Sequence, residues 1–192
     1  MSESLWPEVK PPNDPLPCDQ CELVRQSPRL IWGEGNPEAS LWILLDNPGA
    51  RENREQMPWV CGARETLYDL AEKAGFLPHD LYVTYVVRRR PRRAYDKPRE
   101  RQRCLQNLHH QLALSPPKMM LCLGDVAIKS FTANPDQSVK NARQHWWEES
   151  DIAISASYHP LAVRRRPSLR AYADADWQLC YAHYRLANTP IP

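Results

Sequence analysis

Leu41-Trp-Ile-Leu-Leu-Asp-Asn-Pro-Gly49 is an apolar run of strand length, stopped by two short polar residues and then by a proline and a glycine. Proline fixes φ and glycine tolerates φ > 0, so Asp46 and Asn47 are expected on a tight turn directly after a buried strand. Continuous apolar character, rather than alternation, suits a central strand covered on both faces. Open α/β sheets place their working groups just beyond such strand ends.

Working outward, the first strand is expected over 39–45, fed by Trp32-Gly-Glu-Gly-Asn-Pro37, which has the composition of a loop. Apolar residues at three- and four-residue spacing predict a helix over 63–74, with Gly75 as its stop. Leu81-Tyr-Val-Thr-Tyr-Val-Val87 is β-branched and aromatic, a second strand that runs into Arg88-Arg-Arg-Pro-Arg-Arg93. Pro98 opens a helix over 99–114, which Ser115-Pro-Pro117 breaks. A third strand at 118–123, a turn at Gly124-Asp125, a short helix at 126–131, a fourth strand at 152–157 and a last helix at 168–186 complete the pattern. Strands alternating with helices imply a parallel sheet with right-handed crossovers. The expected fold is a three-layer α/β/α domain around a four-stranded parallel sheet, one domain over 1–192 with a Pro-rich extended arm at 1–17. Its C-terminal edge would collect Asp46, Asn47, the arginine run, Gly124-Asp125 and His159.

The net charge of +2 conceals a segregation. Between Val86 and His110 nine Lys/Arg stand against two acids, and between His159 and Arg170 there are four Arg and no acid, leaving −9 elsewhere. Two concentrated basic segments on a nearly neutral chain point to a polyanionic partner. No apolar run reaches membrane-spanning length and the start carries no secretory pattern, so an intracellular, cytoplasmic protein without a membrane partner is expected. Of the six cysteines, Cys122 and Cys180 sit in apolar surroundings as small core residues, whereas Cys18-x-x-Cys21 has the spacing with which two thiolates grip one metal.

These pieces together resemble the uracil-DNA glycosylase superfamily, most closely its iron–sulfur branch. The resemblance runs from Cys18 to about Tyr184. It rests on Cys18-x-x-Cys21, Gly33-Glu-Gly-Asn-Pro37, Asp46-Asn-Pro-Gly49, Pro58-Trp-Val60, Thr84-Tyr-Val-Val-Arg-Arg-Arg-Pro91, Cys104, Leu123-Gly124 and His159-Pro160, in family order. It implies a DNA glycosylase that turns a nucleotide out of the stack and hydrolyses its N-glycosidic bond, leaving an abasic site. No lysine sits near the first motif to form a Schiff base, so monofunctional hydrolysis is expected. Asp46 takes the position of the branch's catalytic Glu, and Asn47 that of the Asn in the Gly-x-Asn-Pro-Gly motif of other branches. His159 would help the leaving base, and Pro48, Gly49, Trp59 and Tyr85 would shape its pocket. Arg88, Arg89, Arg90, Arg92 and Arg93 would hold phosphates, as would Arg164, Arg165 and Arg166 beside a wedge at Leu161.

Two departures alter the expectation. The Asn with which the family reads a pyrimidine edge is Tyr85 here, so the base need not be uracil; another deaminated, damaged or modified base is open, in repair or in defence against foreign DNA. The family's ligand positions fall at Cys18, Cys21, 89 and Cys104, but position 89 is Arg. Three thiolates hold a 4Fe-4S cluster or zinc only with an open site or with a fourth ligand, for which Cys61 and the pair His109-His110 are candidates. The glycosidic chemistry itself needs no cofactor, and the chain is expected to act as a monomer on single- or double-stranded DNA. A non-catalytic DNA-binding module and a nucleoside or nucleotide hydrolase remain the alternatives.

Overall fold

Residues 6–12, 18, 20–49 and 62–189 are described by a computed structural model. Among them, β1 (Glu8–Val9), β2 (Gly33–Gly35), β3 (Leu41–Leu45), β4 (Leu81–Tyr85), β5 (Met119–Leu123), β6 (Trp147–Glu149) and β7 (Ile152–Ser157) form one sheet in the order β1-β2-β4-β3-β5-β7-β6. The pairs β4–β3, β3–β5 and β5–β7 are parallel, so the expected four-stranded parallel centre is present. Antiparallel strands extend it on both sides to seven.

Alternation along the central strands divides the core into two layers. Leu41, Ile43 and Leu45 face one side with Val83, Tyr85, Leu121 and Leu123, under α1 (Gly62–Ala74) and the last helix. Trp42 and Leu44 face the other with Tyr82, Met120, Cys122 and Ile154, under α2 (Lys97–Leu114), α3 (Asp125–Phe131) and α4 (Val139–Ala142). A slip of one residue in β3 would exchange these sets, which fixes the register. The remaining helices are α5 (Pro160–Arg165) and α6 (Arg170–Ala187).

Two expectations are corrected at the sheet edge. Gly33–Gly35 is a strand rather than a loop: Gly33 leaves room for the Tyr82 ring, and Gly35, at φ 94°, lies against the backbone of Leu81. Within the Pro-rich arm, Glu8–Val9 pairs with β2 and Trp6 is buried, so this part of the arm belongs to the sheet.

The strand order decides where a site can form. From β3 the chain crosses to β4 on one side and then returns to β5 on the other. The crevice beyond β3 is therefore the switch point of the sheet, where the flanking connections diverge and leave space.

Candidate active site

The hydrogen-bond ladder persists past the end of β3, with Val86 N–H donating to the Leu45 carbonyl (2.8 Å) and Val87 N–H to that of Asp46 (2.9 Å). Asp46 is thus still held to the neighbouring chain where its side chain emerges. Its Oδ1 accepts the backbone N–H of Asn47 at 2.7 Å and stands 3.3 Å from Nε2 of His159. The Asn47 amide donates to the Pro48 carbonyl at 2.9 Å, which braces the turn toward Gly49.

His159 arrives from the end of β7. It is the N-cap of α5, and its Nδ1 accepts the backbone N–H of Leu161 at 3.1 Å. A neutral imidazole that accepts at Nδ1 carries its proton at Nε2, so its N–H faces the Asp46 carboxylate. Burial alone would raise the Asp46 pKa; the hydrogen bond from His159, with the backbone N–H groups of the turn, outweighs it and holds the carboxyl below its ordinary value. Gly124 leans on this histidine from β5. Its φ is 98°, and a Cβ there would meet the His159 Cβ at 3.1 Å.

A cavity of about 220 Å³ opens beside the pair. Leu45, Ala63, Pro160 and Leu161 supply apolar wall; Asp46, Asn47, Arg64, Tyr85 and His159 supply polar atoms, and Gly49 lines it as well. The Tyr85 hydroxyl donates to Glu34 Oε1 at 2.8 Å and accepts from Arg64 Nη2, which also pairs with the same carboxylate oxygen. Glu34 and Arg64 are only 2% and 1% exposed, so this is a buried ion pair lying behind the Arg64 and Tyr85 wall of the cavity.

Arg64 and Glu34 were not singled out as site residues from the sequence. The signal was available in the helix pattern: Arg64 shares the buried face of α1 with Leu67 and Ala71, where a charge needs a buried partner. Trp59 and Cys61 lie outside the described residues. Asp125, at the same edge, accepts the Val139 N–H at 2.8 Å and serves the connection into α4.

The arginine run divides. Arg88 was expected on phosphate, but it continues the buried register of the strand at 0% exposed. Its guanidinium donates to the Trp32 carbonyl, to Thr84 Oγ1 (3.2 Å) and to Gln111 Oε1 (2.6 Å), and lies 4.5 Å from the Trp32 ring centroid. Burial lowers its pKa to about 10, still leaving it charged at neutral pH. Enclosed in this way, Arg88 cannot reach a phosphate. Arg89 is also turned inward, donating to the carbonyls of Ser27 (3.1 Å) and Pro28. Arg90 is half-buried, whereas Arg92, Arg93, Arg164, Arg165, Arg166 and Leu161 are exposed.

Cys18, Cys21 and Cys104 are buried and do converge. A hydrogen bond between the Cys21 and Cys104 thiols, with burial, drives Cys21 up; the same bond, with the nearby Arg88, brings Cys104 down against its own burial. Asn107 Nδ2 lies 3.5 Å from Cys18 Sγ. These residues do not fit a four-thiolate centre. A guanidinium, which cannot ligate a metal, occupies position 89, where the fourth thiolate would have to stand. Among the described residues no group of His, Cys, Asp and Glu is arranged to hold a metal ion.

Residues 32–180 match the family model of the Uracil DNA glycosylase superfamily, and the chain belongs to that family. Curated relatives place the likeness more narrowly. A Type-4 uracil-DNA glycosylase of Archaeoglobus fulgidus is 28% identical over 85% of this chain and 86% of its own length. Those of Pyrobaculum aerophilum and Sulfurisphaera tokodaii are 26% and 27% identical over 83% and 85% of the chain, and 85% and 78% of their own lengths.

Proposed function

We propose that this chain is a monofunctional DNA glycosylase that excises a deaminated base from DNA and leaves an abasic site, acting as a single-domain monomer. The reading rests above all on the cavity at the sheet's switch point, into which Asp46 and His159 converge from two different strands. The glycosidic bond breaks toward a cationic sugar and an anionic base. Ionised Asp46 opposes the first charge and orients the attacking water near C1′, braced by Asn47. The Nε2–H of His159, directed at Asp46, fixes that carboxylate for the sugar, and the cation of Arg64 presents its positive end to the departing base.

The pocket wall supports the substrate class. Deamination replaces an exocyclic amino donor with a carbonyl acceptor. Arg64 offers donors only, and the Tyr85 hydroxyl is engaged by Glu34 and Arg64 where an amide would otherwise read both kinds of group. Such a wall favours uracil, hypoxanthine and xanthine over their amino parents, because a base that cannot accept leaves donors unmet. Exposed Arg92, Arg93, Arg164, Arg165 and Arg166, with Arg90, would hold the phosphates, and Leu161 would fill the space of the extruded nucleotide. The test is an oligonucleotide panel carrying one base of each kind. Alkali-labile breaks are expected at the three deaminated bases and none at cytosine, adenine or guanine; breaks at none of the six would end the reading.

Gly124→Ala probes the placement of His159 alone. A residue with a Cβ at φ 98° is strained and presses on the His159 side chain. A displacement well under 1 Å suffices to cost about 10–100-fold in excision rate, measured in single turnover, with DNA affinity unchanged.

A further inference from the structure

We propose that the cysteine corner is a metal-free clamp, in which Arg89 and its hydrogen bonds, rather than a metal centre, tie the Cys18–Pro28 segment to the arginine loop and to α2. Three pieces of chain meet there: the segment carrying Cys18 and Cys21, the loop from Arg88 to Arg93, and the helix carrying Cys104. A cluster bound at all three would act as a cross-link. The same three pieces are already joined without one.

Arg89 Nη1 donates to the Ser27 carbonyl at 3.1 Å and to that of Pro28, closing the loop on the first segment. Gln26 Oε1 accepts the backbone N–H groups of Arg92 and Arg93, each at 2.8 Å, which closes it a second time. The helix is tied in by Glu22 N–H donating to buried Glu100 (3.3 Å) and by Arg103 Nη1 donating to the Gln20 carbonyl (2.9 Å). Guanidinium cannot ligate a metal, but it donates several directed hydrogen bonds at once. The buried thiols are held by protein groups as well: Cys21 Sγ accepts the Leu23 N–H at 3.4 Å and Cys18 Sγ lies 3.5 Å from Asn107 Nδ2. This corner therefore holds its shape by donor–acceptor pairs, and the clamp stands whether or not the chain excises bases.

The decisive measurement is metal content of the full chain purified without oxygen, with its thermal midpoint before and after dialysis against a chelator. The expected result is far less than one iron or zinc per chain and an unchanged midpoint. Stoichiometric iron or zinc whose removal lowers the midpoint would overturn the proposal. Arg89→Met is expected to lower the midpoint by about 5 °C, and a midpoint equal to wild type would remove Arg89 from the clamp. Arg89→Cys, reconstituted with ferrous iron and sulfide, is expected to gain the visible absorbance and the iron complement of a 4Fe-4S cluster, which wild type treated identically does not. Cluster formation in both proteins would contradict the assignment.

Discussion

Asp46→Asn slows base excision by about 10²–10⁴-fold in single turnover while leaving DNA affinity unchanged. The substitution keeps the size of the side chain and its acceptor for the Asn47 N–H, but removes the charge that faces His159 at 3.3 Å and the cationic sugar in the transition state. The pH dependence carries the same information. Because the Asp46 pKa is held below its ordinary value in the folded protein, wild-type activity persists as pH falls through the usual carboxylate range and is lost only as pH drops through the depressed value. The stabilisation from this group runs the same way: it is present above the unfolded-state pKa and disappears as pH falls through the folded one. In Asp46→Asn this acid limb is absent. A wild-type limb at or above the ordinary carboxylate value would show that His159 does not govern the carboxylate.

The second large effect is on stability and lies behind the cavity wall. Arg64→Ala leaves the Glu34 carboxylate, itself 2% exposed, without the cation that Arg64 places on its Oε1. Removing one member of such a buried pair costs about 3–5 kcal/mol, because the remaining charge stays desolvated. For a chain of this size that corresponds to a thermal midpoint lower by roughly 10 °C or more. Removing Glu34 together with Arg64, by apolar residues of similar volume, should recover much of the loss, since no charge is then stranded. Calorimetry on the two single variants and the double variant measures both statements. A loss below about 1 kcal/mol in Arg64→Ala would mean that the pair is no better than an exposed one.

The parallel centre of the fold was legible because its strands are short apolar runs ended by unmistakable punctuation. Leu41–Leu45 stops at Asp46-Asn-Pro-Gly49, and Met119–Leu123 stops at Gly124. From that alternation of strands and helices the convergence of Asp46 with His159 follows without coordinates. What escaped has physical reasons. Two- and three-residue edge strands such as Glu8–Val9 and Gly33–Gly35 are too short to show a period, and their pairing depends on partners distant in sequence. Pro160–Arg165 is a short helix that no periodicity announces, started by a histidine side chain capping the Leu161 N–H and a proline at the first turn.

Arg88 illustrates the opposite error. A run of arginines has the composition of a solvated surface, but burial is set by register, and the buried stretch from Leu81 continues through Val86 and Val87 to Arg88. Only the carbonyl of Trp32 and the side chains of Thr84 and Gln111, contributed by separate segments, explain how a guanidinium can be enclosed there. Arg64 was overlooked for the same reason. Its helical face was visible, but Glu34 and Tyr85 come from other strands, and no local pattern announces the pair.

The central claim is that Asp46 and His159 act as one unit on a single extruded nucleotide. A double-mutant cycle on excision rate, with Asp46→Asn, His159→Ala and both together, tests it most directly. Groups that act as a unit are strongly non-additive, so the double variant is predicted to be no slower than the slower single variant. Effects that multiply, as they do for independent groups, would contradict the account.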